Sequence, residues 1–566
     1  MSKIDVEIAK QEKLIAKHPD DAAQWFMLGR LQRRNNAFTE AIVAFTRCVA
    51  LDPEHFDAWA MMGFSFLDLF KMKEALECFV FILQMQPTRA DAVFGCALAQ
   101  DLLGNHADAL EFIDHAVALD PGNPKLYPLR AYLHATYGRD PAVTLAYFRD
   151  WAERFADPLA AAAPPLRVDR TPGRKLRIGY VSADLRNHSV AFFVEPIFAR
   201  HDRSRVHVSV FSSGAVDAVT ARIRATVDQW FDISVMSDDD AWALMRRQKI
   251  DVLIDLSGHT VGNRLMVFAR RAAPVQVTWL GFMYTTGMRA MDYRITDAIA
   301  DPPGLSEHGH SEQLFRVKRM AVYQPPQAEP VPAPPMLAKG RVTFASLNNL
   351  KKVTDAMLGT WGRILEQVPD SILIVIGSEQ TQEEAIAQQR GRLEAAGLPL
   401  DRLCILPRLS LDGFMQMGGI VDIALDTAPL SGGTTTLHSL WMGLPVVCMS
   451  GDQSFANSSA ATVQALGYSE LACADADGYV AAAVGLARAP ERLAQFRADI
   501  RPRIEASYLM DYAGFVADME AAYRLMWLNY LQGETLYLDT SHPADAAVDA
   551  CLMAHAGARG ADALAA

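Results

Sequence analysis

The chain changes its periodicity near residue 150. Before that point one set of positions recurs every 34 residues: Pro19, Pro53, Pro87 and Pro121, the small residues Gly29, Gly63, Ala97 and Ala131, and then Ala41, Ala75 and Ala109. Trp25 and Trp59 keep the same spacing, as do Phe45 and Phe79. Small residues at fixed register let two antiparallel helices approach, large ones fill the gap beside them, and proline ends the second helix. Tandem helical hairpins are therefore expected. Further along, short runs rich in β-branched residues alternate with amphipathic stretches, the pattern of parallel strands joined by helices. Runs starting at Arg177, Val206, Val252 and Val275 form one series, and runs starting at Val342, Ile372, Leu403, Ile423 and Val446 form a second. A proline-dense stretch at 323–339 separates them. The pattern predicts an all-α solenoid followed by an α/β region of two doubly wound, Rossmann-like lobes.

A helical repeat of 34 residues has the tetratricopeptide period, and the match extends from residue 20 to about 153. The fourth repeat is degenerate, with Val143 and Tyr147 in the Ala and Phe places. The expected domains are a repeat array at 1–153, a Pro/Ala-rich linker at 154–175, an N-terminal lobe at 176–338 and a C-terminal lobe at 339–535. Residues 536–566, rich in alanine and without a sustained apolar stripe, read as a disordered or loosely helical tail.

Composition narrows the classes. At 566 residues the chain is too long for one core, and 51% hydrophobic with 21% charged residues is globular usage. No apolar run approaches the ~20 residues that span a bilayer. The polar start lacks the apolar core of a secretory signal, so a cytoplasmic protein is expected. Seven cysteines are scattered singly, with no C-x-x-C pair, which argues against a disulfide framework or a zinc site. A net charge of −12 does not suit a surface built to neutralise nucleic-acid phosphates.

The densest chemistry lies at 422–447, which reads as strand, Gly-rich loop, helix and strand. Gly432 and Gly433 permit close backbone approach, and Thr434, Thr435 and Thr436 stand where a new helix exposes unpaired N–H groups and its positive dipole end. That is the arrangement of a diphosphate site. A Gly/Thr turn that caps a helix without any ligand would leave the same pattern. Asp238, Asp239 and Asp240 contain a D-x-D triplet of the kind that binds metal, but the Ala-Trp-Ala-Leu that follows makes them the acidic first turn of a helix. No metal site is expected.

The region 177–530 resembles the catalytic unit of the O-GlcNAc transferase and SPINDLY family. RAAPVQVTWLG from Arg271 is similar to that family's R-P-A-P-x-Q-x-x-W-L-G signature, and TTG from Thr285 and MDYRITD from Met291 extend it. SLNNLKK from Ser346 resembles the strand end where the family keeps a lysine on the nucleotide diphosphate, and 426–445 resembles its nucleotide-sugar segment. Repeats ahead of the catalytic unit are also that family's arrangement. The resemblance implies a GT-B fold, no cofactor, and a nucleotide sugar, UDP-GlcNAc foremost, as co-substrate.

It also implies roles. Lys352 would stabilise charge on the departing nucleotide, with Asn349 near the phosphates and Lys351 a solvated neighbour. Leu409, Phe414, Ser431, Gly432, Gly433, Thr434, Thr435, Thr436 and His438 would line the nucleotide sugar. His188, after the first strand, matches the family's active-site histidine and could accept or relay the acceptor's proton. Asp184 or a substrate phosphate would serve as base equally well by sequence. Arg271 matches an arginine near the acceptor groove, with a structural ion pair as the alternative.

This chain departs from the family at His438, where an acidic residue usually meets the ribose, and at Phe414, where the animal enzymes place a histidine on the base. The reading is an inverting, metal-independent transfer to Ser or Thr of a protein acceptor held along the repeats, with neither nucleic acid nor membrane as partner. The alternatives are GDP-fucose or another nucleotide sugar used on a dedicated partner such as flagellin, and a repeat scaffold without catalysis.

Overall fold

The computed structural model describes residues 3–137, 143–377, 382–451 and 453–533. The tail expected at 536–566 lies outside the described residues. The chain forms two compact units, Met1–Arg139 with Ser346–Leu411, and Asp140–Ala345 with Asp412–Ala566. Its strands are β1 (Leu176–Ser182), β2 (Val206–Ser212), β3 (Gln229–Asp232), β4 (Val252–Asp255), β5 (Val275–Thr278), β6 (Tyr293–Thr296), β7 (Gln313–Arg316), β8 (Thr343–Asn349), β9 (Ile372–Ile376), β10 (Leu403–Leu406), β11 (Ile423–Leu425), β12 (Val446–Met449) and β13 (Ala472–Cys473).

In the first unit the 34-residue register becomes helical hairpins. Helices Ala22–Arg34 and Phe38–Leu51 form one, Phe56–Asp68 and Met72–Met85 the next, and Ala90–Leu103 and His106–Leu119 a third, before Tyr127–Tyr137. The small residues do what their spacing suggests: a Cβ on Gly29 would lie 2.5 Å from the Phe45 ring, and one on Gly63 would lie 2.8 Å from Phe79. The indole N–H of Trp25 donates to the Pro19 carbonyl, and that of Trp59 to Pro53. Tyr127, at the same register in the fourth repeat, donates to Pro121. One side-chain to backbone bond thus recurs at the repeat turns. A helix at Lys3–Lys17, which the repeat spacing does not predict, covers the array through Ile15 against Leu28 and Ala44. This unit also holds the end of β8, then β9 and β10, which pair in parallel.

The second unit carries a seven-stranded sheet of order β3-β2-β1-β4-β5-β6-β7, parallel throughout. It also carries the start of β8 followed by β11, β12 and β13, again parallel. β3, β6, β7 and β13 are additions to the strands read from sequence. The helix Tyr512–Gln532 belongs by sequence to the C-terminal lobe, yet it packs into the core of the first sheet, with Met526, Trp527 and Leu528 against Ile178, Val277 and Trp279 among others. The stretch taken as a linker differs too. It is helical through Ala161, and its extended part is pinned by Arg174 on Asp251 and by Arg524 on the Pro172 carbonyl. No described helix is long and apolar enough to cross a membrane.

Candidate functional site

Parallel sheets place ligands beyond the carboxyl ends of their strands. β1 ends at Ser182, and its hydroxyl accepts the Asp184 N–H at 2.9 Å. The loop that follows is held by Thr220 donating to the Leu185 carbonyl and by the Asn187 N–H donating to Asp217. A Cβ on Gly214 would fall 1.8 Å from the Ala183 carbonyl oxygen, so only glycine admits this loop. The loop presents His188, with 40% of its side chain exposed. Its Nδ1 accepts the Val190 N–H at 3.3 Å, which puts the ring proton on Nε2, 3.8 Å from Asp184 Oδ1. Burial lowers the imidazole's pKa, the Asp184 carboxylate opposes this, and Arg186 adds to the lowering. Burial thus favours the neutral ring, whose unprotonated nitrogen, Nδ1, is the one that accepts the Val190 N–H.

β11 leads into the SGGTTT loop. Asp426 Oδ1 accepts the Gly432 N–H at 2.9 Å, and the Gly432 carbonyl accepts the Ser459 hydroxyl at 2.8 Å. A Cβ on Gly432 would lie 2.5 Å from Thr436 Oγ1, whereas one on Gly433 would meet nothing nearer than Ser458 Oγ at 3.5 Å. Gly432 is required by the protein itself; Gly433 leaves space. Ser431 is spent on the Phe455 carbonyl and Thr436 on Ser459. The helix Thr434–Trp441 starts there, its first N–H groups without intrahelical partners.

These two loop ends meet in one cavity of about 190 Å³, lined among others by His188, Phe193, Met283, Gly433, Thr434 and Ser458. Drug-sized ligands occupy about 300–1,000 Å³, so this cavity has the dimensions of one part of a ligand. An imidazole and the start of a helix share its wall.

His438 lies further along the helix and is only 6% exposed. Its Nδ1 is 2.5 Å from the Tyr323 hydroxyl, and Phe192 and Phe414 pack against its ring. Burial pushes its pKa down to about 4.

A model of glycosyl transferase family 41 matches residues 164–322 and 335–519, and a tetratricopeptide repeat model matches 11–58 and 61–124. The chain belongs to glycosyltransferase family 41. Among family 41 relatives, the tomato (Solanum lycopersicum) protein named probable UDP-N-acetylglucosamine–peptide N-acetylglucosaminyltransferase SPINDLY is 39% identical over 68% of this chain and 42% of its own length. The Caenorhabditis elegans UDP-N-acetylglucosamine–peptide N-acetylglucosaminyltransferase is 25% identical over 65% of this chain and 42% of its own. The chain thus spans less than half the length of these curated relatives. A mutant of the Thermobaculum terrenum O-GlcNAc transferase superposes with a TM-score of 0.84 at 31% identity, covering 90% of this chain and 98% of that one. The repeat array and the two-lobed GT-B architecture stand on this likeness.

The remaining residues singled out in this family 41 chain fall elsewhere. Lys352, Asn349 and Leu409 lie in the first unit, Lys352 closing a short turn after β8 and Asn349 capping that turn by accepting the Lys351 N–H. Lys351 is not a solvated neighbour: its ammonium lies 3.6 Å from the buried Asp101 carboxylate. Arg271 makes a two-pronged pair with Asp292, 2.6 Å on each arm, and also holds the Ala290 carbonyl. It does not line the cavity, and the ion-pair alternative describes its geometry. Asp238, Asp239 and Asp240 open the helix Asp238–Arg247 behind the Ser237 cap, with Asp238 on Arg264. Tyr323 and Phe192 carry no motif of their own, and only their pairing with distant residues shows their part.

Proposed function

We propose that this chain transfers N-acetylglucosamine from UDP-GlcNAc to Ser or Thr hydroxyls of protein acceptors held along its repeats, in the cytoplasm, without metal and with inversion. The observation that carries the reading is the shared wall of the cavity, which both His188 and the Thr434 helix start line. The names of the relatives supply the donor and the peptide acceptor.

In the reaction the acceptor oxygen bonds to the anomeric carbon, the bond from that carbon to the diphosphate oxygen breaks, and the acceptor proton passes to Nδ1 of His188 as that nitrogen gives up the Val190 N–H. Negative charge grows on the departing UDP. Unpaired N–H groups and the helix dipole at Thr434 and Thr435 stabilise that charge, and Lys352 adds a fixed ammonium. Binding is selective for the transition state because the charge is greatest there.

His438 in place of a carboxylate leaves the base open, so GDP-fucose is the natural comparator. The purified chain, offered each donor with a peptide mixture, is expected to add N-acetylhexosamine to Ser or Thr, as read by mass spectrometry. Transfer from GDP-fucose alone, or equal transfer by His188→Ala, would overturn this reading.

A further inference from the structure

The repeats also hold the turn that carries Lys352. Asp101, in the helix Ala90–Leu103, is 3% exposed and faces the Lys351 ammonium at 3.6 Å, which also lies 5.7 Å from the centre of the Tyr132 ring. The Lys351 carbonyl accepts two hydrogen bonds from the repeats, from His106 Nε2 at 2.8 Å and from the Tyr137 hydroxyl at 3.2 Å. The His106 and Tyr137 rings stack, with centroids 3.6 Å apart and planes 17° from parallel. On the other side of the residue, Asn349 Oδ1 accepts the Lys351 N–H at 3.0 Å.

These bonds have a geometric consequence. The Lys351 carbonyl and the Lys352 nitrogen belong to one planar peptide unit, so a bond that orients the first orients the second. Two donors on one carbonyl fix that plane, and the Lys352 side chain leaves the backbone from its edge.

The repeat fold by itself does not call for these polar residues. Two hairpins back, and one hairpin back, the Asp101 register holds Arg33 and Leu67, and the His106 register holds Phe38 and Met72. Leu67 and Met72 are buried core residues. Relative to the second hairpin, the third thus exchanges apolar packing for a carboxylate and an imidazole at the two places that reach the turn. A buried carboxylate is costly unless a charge meets it, and the cation that meets Asp101 comes from the turn.

We infer that Asp101, His106 and Tyr137 are positioning residues for the reaction: the third and fourth repeats set the Lys352 turn, so the array acts on the sugar-transfer step as well as on the acceptor. The inference rests on the role given to Lys352 under the proposed function.

The test compares full-length wild type with His106→Ala, His106→Gln, Asp101→Asn, Tyr137→Phe and Lys352→Ala, using UDP-GlcNAc and one modified peptide. His106→Ala and Asp101→Asn are expected to lower kcat about tenfold or more with the peptide KM unchanged, since small misplacements of a catalytic group are costly. His106→Gln, which keeps an N–H donor, should recover most of that loss. Hydrogen exchange at residues 346–353 should rise in His106→Ala. Wild-type kcat in both His106→Ala and Asp101→Asn, a loss confined to the peptide KM, or unchanged exchange overturns the inference. Wild-type kcat in Lys352→Ala overturns the functional reading instead, and with it the catalytic part of this one. Tyr137→Phe removes a single hydroxyl and serves if His106→Ala does not fold: reduced kcat with raised exchange supports the inference, and no change in either overturns it.

Discussion

The Tyr323 hydroxyl and Nδ1 of His438 lie 2.5 Å apart and share a hydrogen bond across the buried side of the ring. With Nδ1 on Tyr323, the other ring nitrogen, Nε2, has no hydrogen-bond partner among the described residues. A neutral imidazole has one donor and one acceptor nitrogen, so His438 keeps one hydrogen-bonding nitrogen for a ligand. A carboxylate there would offer two acceptor oxygens and no donor.

On that basis His438→Ala should weaken donor binding about tenfold, near the ~1.4 kcal/mol that such a factor represents. His438→Asp should stay within about tenfold of wild type, because gained acceptor capacity opposes added negative charge near the diphosphate. Calorimetric titration with UDP-GlcNAc decides it, and unchanged affinity in His438→Ala would make the residue packing alone.

His188→Ala should lower kcat by about 10²–10⁴ while leaving donor affinity within about threefold, as expected of a residue that moves a proton. Its half-exposed side chain makes a folding defect an inadequate explanation. Steady-state kinetics beside a thermal melt separate the two, and a loss in donor affinity alone would assign His188 to binding.

Gly432 and Gly433 should respond differently to the same methyl group. Gly432→Ala forces Thr436 or Asp426 to move and is expected to lower the melting temperature and donor binding together. Gly433→Ala meets only an ordinary contact at 3.5 Å, so it should fold as wild type and lose donor affinity by occupying space near the phosphates. Equal donor affinity in Gly433→Ala and wild type would take the diphosphate off this turn.

Acid should destabilise the second unit through its buried histidines. His259 and His438 both have pKa values lowered to about 4 by burial, below the ~6.5 of an unfolded histidine. Each contributes stability that is complete above about pH 6.5 and declines as pH falls towards 4, because the unfolded chain then binds protons that the folded one refuses. Asp255 works the other way, since burial raises its carboxyl to about 6 and stabilises the fold towards acid. Urea titrations across this range should show a net loss, and His259→Gln should reduce the slope by about 1.4 kcal/mol per pH unit. An unaltered slope would mean that His259 titrates normally.

Phe148, on the helix Thr144–Trp151, packs within the second unit. It is fully buried, with its ring near those of His259, Phe282 and Tyr284. Phe148→Ala should cost about 3–5 kcal/mol in urea denaturation of the whole chain. A change below about 1 kcal/mol would show that the helix Thr144–Trp151 docks without contributing to the core.

The architecture was largely legible because its signals are local. The 34-residue register needs only sequence spacing, and β1, β2, β4 and β5 announce themselves as β-branched runs. β3 was not, since Gln229 and Asp232 bound a half-exposed edge strand, and neither was β6, where Arg294 interrupts the apolar pattern. The candidate site divides in the same way. Gly432, Thr434 and His188 sit in recognisable strand-to-helix turns, whereas Tyr323 meets His438 across 115 residues and Lys351 meets His106 across 245. Pairings of that separation leave no mark on local periodicity. Lys351 in particular looks like a solvated charge until its partners are placed around it.

The return of the helix Tyr512–Gln532 to the first sheet bears on how the protein is made. A ribosome delivers β1 through β7 well before that helix, an interval of roughly ten to forty seconds at about 5–20 residues per second. During it the sheet face that will receive Trp527 and Met526 remains uncovered, and nothing in the emerged chain supplies those side chains. The N-terminal lobe is therefore completed by the last described helix, after the lobe between them has been synthesised, and its core cannot close before residues 512–532 have left the ribosome.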